Sequence, residues 1–412
     1  GGQSVGVPGT LAALDITHRL FGQKSWASGF EQAISLASNG FEVSPRMAKS
    51  VARAKHLKRF ETARNYFFDD AGEPLGAGTQ LRNQPLAETL TAVAGQGVKA
   101  FYEGPIAADI VAAINATSTR HNNITLADLA GYRAKMRAPV CAPYRGYDVC
   151  GMGPPTSGGL TVGQILGMLS NYDVASMGWG PELAHLLTEV EKRAYADRGL
   201  YMADSDYVPM PLKGLLDAEY LKSRTVDIDL EKASEGKASP GVPPGAENLK
   251  LAMGTHRPLA GTSHFVVRDS YGNAISMTTT IESGFGSRVM VRGFMLNNEL
   301  TDFSREPTRD GKPVANRVEG GKRPRSSMSP TIVMRRGHPH LLIGSPGGSR
   351  IPGYVAQALI GILDLGMTPQ AAINMGHVVH RNMTSLDVEA GTDAEALAPN
   401  LAVLGHKVKA RN

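Results

Sequence analysis

The chain has 412 residues, of which 42% are hydrophobic, and a formal net charge of only +5. Its basic residues are scattered along the chain, so neither nucleic acid nor an anionic membrane is indicated as a partner. No apolar run approaches the roughly 20 residues that a membrane-spanning helix needs. The His, Cys, Asp and Glu residues show no metal-ligand spacing, and we expect a large α/β protein without a metal or cofactor.

Apolar periodicity predicts helices over much of the first half of the chain. The predicted segments are Thr10–Phe21, patches within 30–66, 90–101 and 106–116. Residues 76–86 are loop-like, and Thr125 with Asp128 forms a capping-box start for a further helix. A longer helix begins at Pro181, a residue that suits the first helical turn. Its apolar stripe consists of Leu183, Leu186, Leu187, Val190 and Ala194.

Cys141 and Cys150 bracket a segment that is typical of a β-hairpin turning at Arg145-Gly146. In that register the cysteines form a non-hydrogen-bonded pair, whose Cα spacing of roughly 4.5 Å is near the lower end of the disulfide range. A bridge formed in an oxidising compartment and two neighbouring free thiols both fit this pattern. The Gly/Pro/Ser-rich loop at 151–159 lacks the ending of a phosphate-binding loop, so we interpret it as a turn beside the site.

The second half of the chain changes character after residue 230. Residues 231–261 are dominated by Lys, Glu, Ser, Gly and Pro, and we predict a mobile, exposed segment there. The later predicted elements are strands over 289–296 and 332–343, the second interrupted at 335–337, and helices over 354–363 and 369–375.

Between these parts lies a predicted β-hairpin in which two apolar-rich runs flank the tripeptide Ser270–Gly272. Closing the hairpin at this loop places Thr262 opposite Thr280. The same register places His264 opposite Thr278. Alternation then separates a polar face from an apolar one formed by Phe265, Val267, Ile275 and Met277. A hairpin without any function would have the same pattern, so the surrounding motifs decide its meaning.

A series of short motifs runs through the chain in a fixed order. They are Val-Pro-Gly-Thr at 7–10, Pro-Pro-Thr-Ser-Gly-Gly at 154–159, Tyr-Ala-Asp-Arg at 195–198, Gly-Thr-Ser-His-Phe at 261–265, Leu-Asn-Asn-Glu-Leu-x-Asp-Phe-Ser at 296–304, Lys-Arg-Pro-Arg-Ser-Ser-Met-Ser-Pro at 322–330 and Gly-Ser-Pro-Gly-Gly-Ser-Arg at 344–350. This series resembles the γ-glutamyltranspeptidase family of N-terminal-nucleophile hydrolases. The resemblance implies an α/β fold of four layers, the αββα sandwich, in which helices cover two stacked sheets.

The resemblance also implies that Thr262 is the nucleophile, freed by cleavage of the Gly261–Thr262 bond. A threonine hydroxyl needs a base beside it, and an N-terminal threonine has its own α-amine with a pKa of about 7.7–8.0. The hairpin register brings Thr280 within reach of that group. We expect a large part, 1–261, and a small part, 262–412, which stay associated as a heterodimer and share one fold.

Further residues receive roles from the same resemblance. Gly347 and Gly348 match the glycines whose backbone N–H groups form the oxyanion hole. Ser326 and Ser327 match the serines that bind the α-carboxylate of the substrate. The arginine that binds this carboxylate in the family belongs to a region before the Val-Pro-Gly-Thr motif. That region is expected to be missing here, as is the usual C-terminal end.

The substrate ammonium group is expected to meet carboxylates. Glu299 and Asp302 match the positions that receive it in the family, whereas Glu282 lies where most members carry Asn. Three carboxylates around one ammonium leave excess negative charge unless one is protonated or paired. Arg288 and Arg292 are the candidate partners. The loop at 305–321 replaces the lid loop of the family and has no aromatic residue, so we expect an open site.

Three functions remain open from the sequence. The first is a γ-glutamyl hydrolase or transferase that acts on glutathione-like compounds and passes the acyl group from Thr262 to water or an amine. The second is a glutaryl-type cephalosporin acylase, against which Glu282 argues because a glutaryl chain has no ammonium group. The third is a catalytically silent binding protein. A periplasmic or secreted location is expected for the enzyme.

Overall fold

The computed structural model describes residues 1–119, 123–254 and 261–411, in which helices and short strands are mixed. The α-helices are α1 (Thr10–Phe21), α2 (Glu31–Asn39), α3 (Pro45–Arg53), α4 (Glu61–Phe67), α5 (Gln84–Gln96), α6 (Lys99–Tyr102), α7 (Gly104–Ala116), α8 (Leu126–Gly131), α9 (Gly158–Leu169), α10 (Val174–Met177), α11 (Pro181–Tyr201), α12 (Leu212–Leu215), α13 (Ala218–Ser223), α14 (Ile351–Leu363), α15 (Pro369–Asn374), α16 (Asp393–Ala396) and α17 (Ala398–Val403). Short 3₁₀ turns occupy Gly2–Ser4, Ala27–Gly29, Leu57–Arg59, Glu299–Asp302 and Gly348–Arg350.

The strands are short and pair mostly with neighbours in the chain. They are β1 (Phe41–Glu42), β2 (Gln80–Leu81), β3 (Val140–Tyr144), β4 (Tyr147–Gly151), β5 (Thr262–Arg268), β6 (Ala274–Thr280), β7 (Met290–Val291), β8 (Phe294–Met295), β9 (Thr308–Arg309), β10 (Lys312–Pro313), β11 (Thr331–Arg335), β12 (His338–Ile343), β13 (Val378–Val379), β14 (Leu386–Glu389) and β15 (Val408–Arg411). No helix in the described ranges is both long and apolar enough to cross a membrane.

One compact unit combines Gly1–Met136 with Thr280–Thr301. Its main core includes Ile110 and Ile114 of α7, both fully buried, together with Val289 and Leu296 from the later segment. Asn83 connects the two segments directly. Its side chain caps α5 by accepting a hydrogen bond from the backbone N–H of Leu86 at 3.1 Å, and it donates to the carbonyl of Gly293 at 2.8 Å.

The other compact unit combines Arg137–Thr279 with Asp302–Asn412. Its largest sheet is antiparallel in the order β12-β11-β4-β3. Apolar side chains of α9, α11 and α14 share one core with Val149 of β4 and Val333 of β11. A second sheet, β13-β14-β15, contains the parallel pair β14–β15. Each unit contains residues from both sides of position 261.

Several sequence predictions are confirmed. Helix α1 has the predicted bounds, and the Thr125 capping box forms, with Asp128 Oδ2 accepting from the Thr125 N–H at 2.8 Å. The hairpin at Cys141–Cys150 has the predicted register, and the two cysteines form a disulfide with a Cα–Cα distance of 4.0 Å. Strands β11 and β12 meet at the predicted interruption, and α14 and α15 lie close to the predicted ranges.

Three element boundaries were wrong. The loop expected at 76–86 gives way to α5 at Gln84, because Asn83 caps the helix and Pro85 fits its first turn. The helix expected over 90–101 breaks at Gly97, whose φ of 78° stops α5. The single strand expected over 289–296 is the hairpin β7–β8, which turns at Arg292 and Gly293 with positive φ values of 45° and 82°.

The segment from 231 to 254 lacks helix and strand and has many exposed residues, as expected, but it also packs against the second unit. Polar contacts hold it to the second unit: Ser234 bonds to Glu189 and Lys192, and Gly241 N–H donates to Asp197 at 2.8 Å. These contacts bury Ala233 and Ala246. Composition could not reveal them, because the partners lie far away in the sequence. Residues 255–260, the rest of the predicted mobile segment, lie outside the described residues.

Helix α11 is buried on more sides than its predicted apolar stripe. The apolar stripe is fully buried, but charged residues on its other faces are buried as well. Glu189 pairs with Lys192 and Arg193, whose side chains are 3% and 4% exposed. The segment from 231 to 254 contributes to this cover, since the Lys192 ammonium donates to the carbonyl of Ser234 at 2.7 Å. Helix α11 is therefore a central element of its unit.

Candidate active site

The hairpin β5–β6 closes at the predicted loop, and all of it except Thr280 lies in the second unit. The ring Nδ1 of His264 lies 2.8 Å from the hydroxyl of Thr278, and Asp269 N–H donates to Asn273 at 3.1 Å. The apolar face of the hairpin remains about half exposed among the described residues. The exposed fraction is 47% for Phe265, 50% for Val267 and 47% for Ile275. The predicted pairing of Thr262 with Thr280 stays a prediction.

The beginning of this hairpin lies beside the end of β12. The hydroxyl of Ser276 donates to the carbonyl of Ile343 at 3.2 Å. The backbone of Gly344 approaches the His264 ring so closely that a Cβ there would lie 2.2 Å from a ring atom. Since His264 is two residues from Thr262, the packing brings the start of β5 to the segment that continues into Gly347 and Gly348.

These two glycines form the turn between β12 and α14. Gly347 has a φ of 140° and Gly348 a φ of 59°, values that favour glycine. A Cβ on Gly347 would also lie 2.7 Å from the ring of Tyr354. The hydroxyl of Tyr195 fixes the turn by donating to the carbonyl of Ser349 at 2.6 Å. The turn precedes a 13-residue helix, whose dipole favours negative charge at this end.

Ser326 and Ser327 lie in a loop that the 151–159 turn supports. The two segments exchange backbone hydrogen bonds, from Ser157 N–H to the Ser326 carbonyl at 2.9 Å and from Ser326 N–H to the Pro155 carbonyl at 3.2 Å. The hydroxyl of Thr156 donates to the carbonyl of Met328 at 2.6 Å. The 151–159 turn therefore supports the loop that carries Ser326 and Ser327.

Arg198 of α11 contacts the loop that carries Ser327, although the sequence gave it no role. Its guanidinium is buried and donates from Nη2 to the hydroxyl of Ser327 at 2.5 Å and from Nε to the hydroxyl of Ser157 at 2.7 Å. Its own carbonyl accepts from the guanidinium of Arg325 at 2.9 Å. The available signal was the Tyr-Ala-Asp-Arg motif, which we used only as a family landmark.

Asp302 belongs to the same charged cluster. Burial raises the pKa of its carboxyl to about 6, although the positive charges of Arg198 and Arg325 act in the opposite direction. Its carbonyl accepts a hydrogen bond from the Asn316 amide at 2.7 Å. The amide oxygen of Asn316 in turn accepts from the Arg325 N–H at 2.9 Å, so one side chain positions both residues.

Thr280, Glu282 and Glu299 belong to the first unit. The hydroxyl of Thr280 accepts a hydrogen bond from the Glu282 N–H at 2.7 Å. Glu282 has a φ of 75°, an uncommon conformation for a residue with a side chain. Its buried carboxylate accepts from the Asn298 amide at 2.5 Å. The N–H of Glu299 donates to the amide oxygen of Asn297 at 3.0 Å.

Of the two arginines predicted as partners of Glu282, Arg292 was the wrong choice. Arg292 pairs instead with Asp109, with an Nε–Oδ2 distance of 2.6 Å, because the β7–β8 turn directs it toward α7. The backbone at Arg288 has a φ of 70°.

Within the described ranges, no group of three or more His, Cys, Asp or Glu side chains is arranged to hold a metal ion.

The chain is similar over its whole length to one group of known proteins. A family model described as Gamma-glutamyltranspeptidase matches residues 1–412. A glutathione hydrolase proenzyme of Bacillus subtilis (strain 168) is 36% identical over 418 residues, covering 98% of this chain and 69% of that protein. The acylase ACY 1 proenzyme of Pseudomonas sp. (strain SE83) is 32% identical over 412 residues, covering 99% and 69%. The crystal structure of a cephalosporin acylase from Bacillus halodurans has a TM-score of 0.86 at 25% identity, covering 100% of this chain and 72% of that chain.

Proposed function

The chain belongs to the γ-glutamyltranspeptidase family, and we propose that it is a self-cleaving γ-glutamyl hydrolase or transferase whose nucleophile is Thr262. It is an enzyme of the N-terminal-nucleophile type with the αββα fold class of that superfamily, rather than the silent binding protein kept as an alternative. The substrates that we propose are glutathione-like γ-glutamyl amides. A periplasmic or secreted location is part of the proposal, and the disulfide between Cys141 and Cys150 supports it.

The observation that carries the proposal is the packing of the hairpin against the glycine turn. The contact between His264 and Gly344 supports a nucleophile at Thr262 close to the N–H groups of Gly347 and Gly348. In the precursor, the Thr262 hydroxyl attacks the Gly261 carbonyl and the peptide bond becomes an ester. Water then hydrolyses this ester, which leaves a carboxylate on Gly261 and a free α-amine on Thr262.

The same hydroxyl then performs acyl transfer. The α-amine accepts the proton of the Thr262 hydroxyl as its oxygen attacks the γ-amide carbon, and the glycine N–H groups stabilise the developing oxyanion. The leaving amine takes the proton, and an ester to Thr262 remains. Water or an acceptor amine resolves the ester in a second displacement. We assign Thr280 to the orientation of the nucleophile, and Glu282, Glu299 and Asp302 to the substrate ammonium.

The arrangement of the units supports a heterodimer after cleavage. The first unit joins residues before position 261 to residues 280–301, and the second joins 137–261 to most of the later chain. Each unit would therefore keep parts of both products. Because their contacts are buried and non-local, we expect the two products to remain associated in solution.

A cephalosporin acylase is the second candidate, because both the ACY 1 proenzyme and the Bacillus halodurans structure carry acylase names. The two functions differ in the acyl group. A γ-glutamyl chain has an ammonium group and a glutaryl chain does not. Turnover of γ-glutamyl anilide beside glutaryl anilide therefore separates them, and we expect the first to be the better substrate.

Self-cleavage is tested by intact-mass analysis of freshly purified protein. We expect two polypeptides whose boundary lies between Gly261 and Thr262. The Thr262→Ala variant should stay uncut and inactive, and Ser263→Ala serves as the matched control that keeps the nucleophile. An uncut wild-type chain that still turns over γ-glutamyl anilide would contradict the mechanism.

A further inference from the structure

The hydroxyl of Ser327 is held in an unusual way. A serine hydroxyl has one proton to donate and two lone pairs to accept with. Arg198 occupies one lone pair from Nη2 at 2.5 Å. Within 1–119, 123–254 and 261–411, no group accepts the Ser327 proton, so the hydroxyl retains its donor capacity. Ser326 is similar, because its hydroxyl accepts from the Met328 N–H at 3.1 Å.

The surroundings of this hydroxyl carry a surplus of positive charge. Arg198 and Arg325 are only 3% and 1% exposed. The carboxylate of Asp302 interacts favourably with the charges of both arginines. Arg198 also interacts electrostatically with the cation Arg381, which is unfavourable, and with the phenol of Tyr195. A buried charge without a full complement of opposite charge is costly. An anion placed at the Ser327 hydroxyl would reduce that cost.

We propose that Arg198 is a positioning and specificity-determining residue of the carboxylate subsite. It holds the Ser327 oxygen so that the hydroxyl proton points to the substrate α-carboxylate, and its charge makes that hydroxyl a stronger donor. Arg198 acts through Ser327 and does not touch the substrate. The inference rests on the proposed function and deepens it, since it assigns the recognition of a carboxylate to a buried cation on α11.

A purely structural role for Arg198 is the alternative. Its second bond, from Nε to the hydroxyl of Ser157 at 2.7 Å, ties α11 to the turn that supports the serine loop. If Arg198 only held this loop in place, its replacement would impair the turnover of every substrate equally. If Arg198 acts through Ser327, its replacement would raise KM only for substrates that carry a carboxylate.

Three anilides separate these cases in the processed wild-type enzyme and in Arg198→Lys. The γ-glutamyl anilide has the carboxylate and the ammonium, the glutaryl anilide has the carboxylate alone, and the 4-aminobutanoyl anilide has the ammonium alone. For the two carboxylate substrates we expect KM to rise roughly tenfold to a hundredfold, the range of a charge-assisted hydrogen bond, with a much smaller change in kcat. The KM for the 4-aminobutanoyl anilide should change less than about twofold on the same argument.

A double-mutant cycle tests whether Arg198 acts through Ser327. In the Ser327→Ala background, Arg198→Lys should cause no further carboxylate-selective loss. Processing to two chains and an unchanged melting temperature show that a variant is folded, and Arg198→Gln is the second variant if the lysine is not processed. Failure of both variants to process would assign Arg198 a structural role and overturn the proposal.

The outcomes distinguish this inference from the proposed function. A wild-type protein that turns over none of the three anilides overturns the proposed function itself. If the wild type is active and Arg198→Lys lowers kcat/KM equally for all three substrates, only the role of Arg198 is overturned. Additive losses for Arg198→Lys and Ser327→Ala on the carboxylate substrates would also overturn it, because the two residues would then act independently.

Discussion

Replacement of Asp302 by Asn removes a carboxyl whose pKa in the folded state lies well above its value in the unfolded state. Burial raises its pKa from 3.8 to about 6, against the opposing charges of Arg198 and Arg325. This shift is about two units, and each unit corresponds to about 1.36 kcal/mol. Ionised Asp302 therefore destabilises the folded state by about 3 kcal/mol at neutral pH, and we expect Asp302→Asn to recover most of it.

The sign of this effect sets its pH window. The folded-state pKa of Asp302 lies above its unfolded value, so the carboxyl costs nothing when both states are protonated, below pH 3.8. The cost develops as the pH rises and is complete above about pH 6. At about pH 4.5 it amounts to about 1 kcal/mol, and at about pH 7.5 to about 3 kcal/mol. The stabilisation by Asp302→Asn should therefore grow by about 2 kcal/mol between these pH values.

Urea unfolding at the two pH values measures this difference. Both proteins should carry Thr262→Ala, so that an uncut chain unfolds and refolds as one molecule. Asp387→Asn is the matched control. Burial alone would raise the pKa of Asp387, but hydrogen bonds from Arg411 and Arg350 and the charge of Arg381 lower it.

The stabilisation that Asp387 supplies is present above pH 3.8 and is lost only as the pH falls through its still lower folded-state pKa. Asp387→Asn should therefore destabilise the protein by similar amounts at the two pH values, in contrast to Asp302→Asn. A stabilisation by Asp302→Asn that is independent of pH would refute the reasoning. So would destabilisation at neutral pH, because Asp302 would then be held as a paired anion.

Three further predictions follow from the described contacts. Glu282→Gln should lower kcat/KM for γ-glutamyl anilide more than for glutaryl anilide, because only the former has the ammonium; equal losses would point to a structural role. Gly347→Ala should reduce kcat at least about 100-fold, the order found for loss of one oxyanion donor, because the added Cβ meets the Tyr354 ring; near-normal turnover would exclude this turn from the oxyanion hole. Replacing Cys141 and Cys150 together by Ser should lower the free energy of unfolding by about 2–3 kcal/mol, and an unchanged urea midpoint would contradict this.

Local sequence signals predicted the elements that local physics determines. The capping box at Thr125 and the turns at Arg145-Gly146 and Arg336-Gly337 depend on neighbouring residues, so their bounds agree with the structure. In β5–β6 the contact between His264 and Thr278 confirms that these two residues lie opposite each other, as predicted. The Gly97 break was missed because helical periodicity continues on both sides of it.

Burial on more than one side was harder to predict. The sequence predicted one apolar stripe for α11, yet Glu189 and Arg198, which lie outside that stripe, are both buried. What buries their faces is a segment without regular structure, from 231 to 254, and the serine loop, more than 100 residues further along. A charged residue in a helix is normally exposed unless it is paired. The partners of Arg198 lie far more than a dozen residues away in the sequence, so its role can be inferred only from the folded structure.

The same limit applies to the division of the chain. The expected cleavage point does not coincide with a boundary between the structural units, since residues 280–301 belong to the same unit as residues 1–136. Asn297 exchanges two hydrogen bonds with Gly6 at a separation of 291 residues. These contacts do not depend on the bond at 261. Cleavage there can therefore free the Thr262 amine while the interior of each unit stays intact, which is the physical requirement for a nucleophile that is made after folding.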